Sequence, residues 1–205
     1  MTGSIYAYEF ENNLYINLTN KCPNRCSFCI RNVKDEVNGN YLWLKKKPTY
    51  DDVIDAINKF DLKKYNEIVF CGFGEPTCEF DLLCKVGEFL KKHNKRVRLN
   101  TNGLANLINK QENVASKLEG IVDEISISLN ASNAEKYQDI CKSIYSNAFE
   151  EMLKFARQCV QVGICTILSV VSSIGKEEIE KCAKIAEKIG AKFRVREYIK
   201  EDDEY

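Results

Sequence analysis

The chain has 205 residues, enough for one well-buried domain and short for two. Its 30 basic and 30 acidic side chains cancel to a net charge of zero, which argues against a general nucleic-acid or membrane-surface binder. No run approaches the roughly 18 apolar residues of a membrane span, and Met1–Phe10 lacks the basic start and apolar core of a secretion signal, so the expected location is the cytoplasm.

Strand-like runs alternate with amphipathic helical patterns. Leu14–Leu18 is a short apolar run, and Ser4–Tyr8 is positioned to pair with it through a turn at Glu11–Asn13. The spacing of Val53, Ile54 and Ile57 predicts a helix over Asp51–Phe60, after Pro48 and the capping residue Thr49. Glu67–Cys71 is the next strand, and Leu83, Val86 and Leu90 predict a helix over Phe80–Lys92. Arg96–Leu99 is a strand, followed by a looser helical stretch from Leu104 to Leu118. The alternation of Ile125, Ile127 and Leu129 predicts a strand over Glu124–Leu129. Ala148–Gln161 is a strong helix, Ile164–Val171 a strand, Lys176–Lys188 a helix and Lys192–Tyr198 a last strand. The acidic tail, Lys200–Tyr205, is expected to fray.

The expected fold is therefore α/β, with about six parallel strands separated by helices in a single domain over residues 1–205. A complete eight-fold barrel usually needs about 250 residues, so an open three-quarter barrel of TIM type, helices outside, is the economical arrangement. A doubly wound flat sheet has the same periodicity, and pattern alone does not separate the two.

Ten cysteines need an explanation. Disulfide-stapled secreted proteins are usually loop-rich and exported, whereas this chain has regular periodicity. Reduced thiols are expected, which suits an anaerobic or strongly reducing cell. Cys22, Cys26 and Cys29 stand in a C-x3-C-x2-C loop over residues 20–30, after the first barrel strand. Three thiolates can hold three irons of a [4Fe–4S] cube and leave the fourth open, whereas electron carriers normally complete the set with a fourth cysteine. A structural zinc site also needs four ligands, and the sequence has no second C-x2-C and only one histidine, His93. The triplet alone still leaves a reactive cluster and plainer uses of three thiols side by side.

Gly72, Phe73, Gly74, Glu75, Pro76 and Thr77 follow Cys71 at the end of the second barrel strand. The glycines permit close approach to a ligand, Glu75 supplies negative charge, and Pro76 fixes the exit. A simple strand-to-helix turn uses the same residues. Later strands end on Asn100-Thr-Asn-Gly103, Ser128-Leu-Asn-Ala-Ser132, Ser172-Ser173 and Arg196-Glu-Tyr198. Each is a common cap or turn sequence, but in a parallel barrel these ends share one rim, where active sites lie.

With these residues in place, the chain resembles the radical S-adenosylmethionine superfamily. The signature C-x3-C-x-aromatic-C is matched by Cys22, Cys26, Phe28 and Cys29. The resemblance implies a [4Fe–4S] cluster on the three cysteines, with S-adenosylmethionine chelated to the open iron and cleaved after one-electron reduction to methionine and a 5′-deoxyadenosyl radical. Phe28 would lie near the adenine. The Gly-Phe-Gly-Glu-Pro segment looks like the family's Gly-Gly-Glu-Pro motif, with Phe73 a departure from two adjacent glycines. It would receive the methionine ammonium. Thr101 and Asn102 resemble the family's TNG element, Ser128 and Asn130 sit where relatives contact ribose or the methionine carboxylate, and Arg196 belongs to the same set of cofactor contacts.

Within the superfamily, GFGEPT, the SLNA segment with Tyr137 and Ile140-Cys-Lys142, and the closing Lys192–Tyr198 look most like the small radical proteins associated with TatD-type nucleases. The expected activity is hydrogen abstraction from a small molecule or nucleotide, with an electron donor such as flavodoxin or ferredoxin, and with a possible functional link to a TatD-type nuclease. Alternatives are a glycyl-radical activase of a partner protein, whose Asp-x-Lys element is not visible in Ser126–Ser132, and a non-catalytic iron–sulfur electron-transfer or sensor module.

Cys159, Cys182 and Cys165 are expected in the core. Cys71, Cys78 and Cys84 flank the glycine turn without the spacing of a compact cluster motif. Cys141 is a candidate to approach the substrate as a hydrogen-atom donor, against the plainer reading of a packed thiol on a short helix. The segment Arg31–Pro48, with Tyr41, Trp43 and Lys45–Lys47, is either a cover for the barrel mouth or a solvated loop with one anchoring tryptophan.

Overall fold

The computed structural model describes residues 3–198, so the tail expected over 200–205 lies outside the described residues. The chain runs β1 (Ala7–Phe10), β2 (Asn13–Ile16), β3 (Glu36–Val37), β4 (Asn40–Tyr41), α1 (Tyr50–Ile57), β5 (Ile68–Phe70), α2 (Phe80–Lys92) and β6 (Val97–Thr101). It continues through α3 (Ala105–Asn109), α4 (Ala115–Leu118), β7 (Glu124–Ser128), α5 (Ala134–Cys141), α6 (Ala148–Gln161), β8 (Cys165–Val171), α7 (Lys176–Ile189) and β9 (Lys192–Arg196).

The main sheet has the order β1-β2-β5-β6-β7-β8-β9. The first pair is antiparallel, and every pairing from β2 to β9 is parallel. Spatial order follows chain order, with no reversal of the kind a doubly wound sheet makes at its switch point. That resolves the alternative left open by periodicity in favour of the partial barrel.

The two faces of the strands confirm the winding. Leu14 and Ile16, Ile68 and Phe70, Val97 and Leu99, Ile125 and Ile127, and Leu168 and Val170 pack into one buried core beneath the helices. The alternate residues Tyr15, Arg98, Asn100, Ser126, Ser128, Ser169, Arg194 and Arg196 line a concave inner cavity. Parallel strands covered on both faces read as continuous apolar runs; here the period of two survives because one face is polar.

Helix positions follow from local chemistry. Thr49 and Asp52 form a reciprocal capping box at α1, a device whose N-cap interaction contributes about 1 kcal/mol. In α2, Leu83, Val86, Gly87 and Leu90 form the buried stripe. Cys159 and Cys182 are fully buried as expected, whereas Cys165 is only half-buried and lies 3.9 Å from Glu124 Oε2.

Several boundaries differ from expectation. The helical stretch over 104–118 is two short helices, because Lys110 takes a left-handed conformation at φ 52° and ends α3. The first hairpin pairs Ala7–Phe10 with Asn13–Ile16, around Glu11 at φ 52°. Helix α5 is the short helix of the plainer reading of Cys141, and the β3–β4 hairpin was not anticipated. Among the described residues no helix is long and apolar enough to cross a membrane.

Candidate functional site: a thiol loop at the mouth of a polar barrel

Cys22, Cys26 and Cys29 leave β2 on one loop, all half-buried, and all three line the inner cavity. Arg31 fixes the loop's shape. Its guanidinium donates to the carbonyls of Asn20 (3.3 Å) and Asn24 (3.1 Å) within the loop, and to the carbonyl of Phe73 (3.3 Å) across from it. The other side of the loop is sewn to the end of α5. Arg25 N–H donates to Cys141 O at 2.9 Å, Ser27 N–H to Ile140 O at 2.9 Å, and Ile144 N–H to Pro23 O at 3.1 Å.

The Gly72–Glu75 segment lies against the start of this loop. A Cβ on Gly74 would stand 2.2 Å from Thr19 O and 2.8 Å from Lys21 O, and the Glu75 N–H donates to Lys21 O at 2.7 Å. Only glycine admits that approach. Glu75 is buried, and its carboxylate binds donors from two segments. Oε1 accepts from Thr77 N (3.0 Å), Thr77 Oγ1 (2.8 Å) and Thr101 Oγ1 (2.8 Å), while Oε2 accepts from Asn102 N at 2.7 Å. Burial pushes this carboxyl up, and the four hydrogen bonds oppose the shift. Oε2 accepts the single bond from Asn102, and Glu75 lines the cavity. Asn102 in turn points its Nδ2 at Cys22 Sγ, 3.8 Å away.

The cavity has a volume of about 550 Å³. Phe28, Gly72, Phe73, Gly74, Glu75, Thr101, Asn102, Ser128, Asn130 and Arg196 all line it. Two predicted residues do not. Pro76 is buried and opens a short 3-10 helix, so it shapes the exit of the loop rather than the wall. Cys141 is fully buried at the end of α5, beside Asn130 and Cys26, and is not among the residues that line the cavity.

Reasoning from motifs alone missed Tyr15, Arg98, Ser126 and Arg194 of the deeper wall, where Asn100 of the strand-end candidates joins them, and the loop's anchors Asn24 and Arg31. The wall had a signal in the period-two recurrence of polar residues at Arg98 and Asn100, Ser126 and Ser128, and Arg194 and Arg196. At the bottom of the barrel, Glu67 pairs with Arg98 Nε at 2.9 Å, while Glu124 pairs with Arg96 at 2.9 Å and Arg194 at 3.7 Å.

Residues 31–48 do not line the cavity. Leu42 and Trp43 pack with Tyr8 and Phe73 in a small satellite core, the Trp43 and Phe73 rings 5.1 Å apart. The tryptophan anchor of the sequence reading is the correct description. Cys71 is on the cavity wall, whereas Cys78 and Cys84 lie on the short 3-10 helix and α2.

Three half-buried thiols on one loop are a donor set suited to three corners of an iron–sulfur cube. Among the described residues no group of three or more Cys, His, Asp or Glu side chains is gathered as it would be around a single metal ion. Burial, with Glu75 adding, pushes the Cys22 thiol up to about 11, and burial also raises Cys29. Cys26 is raised first by its hydrogen bond to Cys141 and then by burial. Metal binding must therefore displace protons. The cavity also offers unmet acceptors: Asn24 Oδ1, Asn100 Oδ1 and Asn130 Oδ1 are buried without a partner, an arrangement that suits a ligand carrying hydroxyl or amino donors.

Comparison with known proteins agrees with this geometry. A probable GTP 3′,8-cyclase of Methanocaldococcus jannaschii is 28% identical over 191 residues, 91% of this chain and 58% of the relative. An uncharacterized protein of the same organism is 29% identical over 142 residues, 69% of this chain and 42% of the relative. Streptococcus suis SuiB bound to S-adenosylmethionine has a TM-score of 0.70 at 17% identity, over 96% of this chain and 41% of that one. Methylornithine synthase PylB has a TM-score of 0.64 at 15% identity, over 91% and 53%. The chain thus spans about half the length of the proteins it matches, and the solved structures establish likeness of fold. The description of the Radical SAM superfamily matches residues 16–189, most of the sequence, and the chain belongs to that superfamily.

Proposed function

We propose that this chain binds a [4Fe–4S] cluster on Cys22, Cys26 and Cys29, and S-adenosylmethionine in the adjoining cavity, to abstract a hydrogen atom from a small molecule or nucleotide. The observation that carries the reading is the placement of three thiols, with no fourth on their loop, at the mouth of a cavity of about 550 Å³. When bound, the cluster and S-adenosylmethionine supply the electron transfer and the 5′-deoxyadenosyl radical.

The protein's own part is binding, orientation and exclusion of water. The carboxylate of Glu75 and the close backbone of Gly72–Gly74 suit an ammonium group. Phe28 offers an apolar face to a base, and Ser128, Asn130 and Arg196 offer polar contacts to ribose or carboxylate. The deeper wall of Tyr15, Arg98, Asn100 and Ser126 is left for the substrate. A nucleotide substrate is consistent with the curated relative named for GTP.

An electron donor such as flavodoxin or ferredoxin would supply the electron. The TatD-associated subgroup, with its link to a nuclease, rests on the sequence resemblance of GFGEPT, SLNA and Lys192–Tyr198. An electron-transfer module would leave the polar cavity without a use. The test is anaerobic reconstitution with iron and sulfide, reduction, addition of S-adenosylmethionine, and quantification of 5′-deoxyadenosine beside a Cys26→Ala control. Cluster-dependent 5′-deoxyadenosine supports the proposal; a well-formed cluster that neither binds nor cleaves S-adenosylmethionine overturns it.

A further inference from the structure

The floor of the cavity holds more positive charge than its own ion pairs neutralise. Two half-buried carboxylates, Glu67 and Glu124, are shared among three guanidiniums. Arg96 sits between the two acids, 3.6 Å from Glu67 and 2.9 Å from Glu124, and is not part of the cavity wall. Arg98 and Arg194 do line the cavity, whereas the carboxylates behind them do not. The other acids on the wall are engaged or solvated. Glu75 holds its four donors beside the thiol loop, Glu197 accepts from Ser172 Oγ at 3.2 Å, and Glu11 is exposed on the β1–β2 turn.

Arg98 is the buried member of the pair, only 9% exposed. Its Nε stands 2.9 Å from Glu67 Oε1, but the N–H is not aimed at that oxygen and, among the described residues, finds no hydrogen-bond acceptor. Nη2 donates to Tyr15 Oη at 3.4 Å, a long bond. Buried charged donors are costly when poorly met, and native structures pair them. Asn100, two residues further along the same face of β6, also leaves its Oδ1 buried and unmet. Arg194 comes to this region from the far edge of the sheet. By register it is level with Ser169 and, through it, with Ser128, yet its guanidinium lies 3.7 Å from Glu124, four residues lower on β7. Glu124 is the register partner of Arg98, so the Arg194 side chain leans down the cavity toward the level of Arg98.

We propose that Arg98 and Arg194 form an oxyanion site on the cavity floor, and that the substrate is a polar molecule carrying a phosphate or a carboxylate. A planar guanidinium presents paired donors that match either group. Arg98 stands four residues before Asn102, about 13 Å of extended chain below the residue that reaches Cys22. The site is therefore separate from the wall assigned to S-adenosylmethionine at the thiol loop. An ion pair that merely closes the barrel accounts for the Glu67 contact. It does not account for the misdirected Nε, the unmet Asn100 or two guanidiniums facing the cavity. The inference deepens, and rests on, the substrate role given above to the deeper wall.

The experiment is anaerobic isothermal titration calorimetry on the reconstituted full chain with two matched pairs of probes. Guanosine monophosphate against guanosine tests a phosphate, and glutarate against glutaramide tests a carboxylate. At least one anion should bind about tenfold more tightly than its neutral partner, the effect of one charge-assisted hydrogen-bonded contact. Which anion does so distinguishes a phosphorylated substrate from a carboxylic one. Arg98→Gln and Arg194→Gln should each reduce that preference several-fold. Two probe pairs without an anion preference overturn the proposal, as does a preference that survives both variants. If Arg98→Gln does not fold, Arg194→Gln decides, because its side chain is 42% exposed and Glu124 keeps Arg96 as a partner. A lost preference then supports the site and an unchanged one overturns it. Formation of 5′-deoxyadenosine is measured on the same wild-type preparation. A cluster that does not cleave S-adenosylmethionine refutes the underlying reading, whereas cleavage without any anion preference refutes this inference alone.

Discussion

The Asn102 backbone N–H donates to Glu75 Oε2 at 2.7 Å while the Asn102 side chain reaches Cys22 Sγ at 3.8 Å. One residue of the β6 loop is therefore fastened to the glycine segment after β5 and turned toward the thiol loop after β2. Three strand ends become a single rigid wall through this contact. Glu75→Gln removes an acceptor from a buried carboxylate holding four donors and sets an amide N–H against another N–H. A loss of about 1–3 kcal/mol in stability is expected for such an unmet group, with weakened S-adenosylmethionine binding. Chemical unfolding of the apo chain checks it, and a variant as stable as wild type would show that the clamp holds nothing.

Gly74→Ala should separate folding from cluster loading. Its Cβ would meet two backbone carbonyls, at 2.2 and 2.8 Å, that belong to the thiol loop. Backbone cannot rotate away as a side chain would, so the loop must move. The expected result is a folded protein whose iron and sulfide content falls several-fold. Gly120→Ala is the control: its Cβ meets nothing within 4 Å, but its φ of +72° makes any side chain strained. It should cost about 1 kcal/mol or more and leave cluster content unchanged.

Alanine at Cys22, Cys26 or Cys29 should each abolish the visible iron–sulfur absorbance after reconstitution, because three separate corners of a cube each need their thiolate. Cys78→Ala and Cys84→Ala, outside the cavity, should reconstitute with wild-type iron content. A fall in iron on removing either would point to a second cluster.

Glu178 carries a pH signature. Burial opposes ionisation, but hydrogen bonds from Lys136 and Ser132 win, holding the carboxyl down at about 2 from an ordinary 4.5. Oε1 accepts from Ser132 N at 2.7 Å, and Lys136 Nζ lies 2.5 Å from Oε2, so the residue ties α7 to the start of α5. A depressed carboxyl stabilises the fold above its unfolded pKa and loses that contribution as pH falls toward the folded one. Wild type should therefore lose its stability advantage over Glu178→Gln as pH drops from 4.5 to about 2. Urea midpoints across that range would show it, and a constant difference would contradict the assignment.

The barrel was largely legible because hydrophobic period reports which face a strand buries, and the strands here have one apolar and one polar face. The thiol loop and the glycine segment were legible because their chemistry is carried by residues close in sequence. What escaped was set by distant partners. Arg31 reads as a loose basic residue until the fold brings three carbonyls to it. Cys141 was linked to the substrate because sequence position placed it near a strand end, and its burial against the thiol loop depends on backbone bonds from Arg25 and Ser27 that local sequence does not announce. The break between α3 and α4 depends on the left-handed Lys110, a conformation no lysine announces.

Trp43 is the only tryptophan in the chain. Its ring sits 5.1 Å from Phe73, and its indole N–H donates to Asp35 at 2.7 Å. Because Phe73 belongs to the glycine segment on the cavity wall, this placement gives the protein a built-in optical reporter. Tryptophan emission falls where iron–sulfur chromophores absorb, so energy transfer from this one residue makes cluster assembly and loss readable as a fluorescence change, in unlabelled protein and in real time.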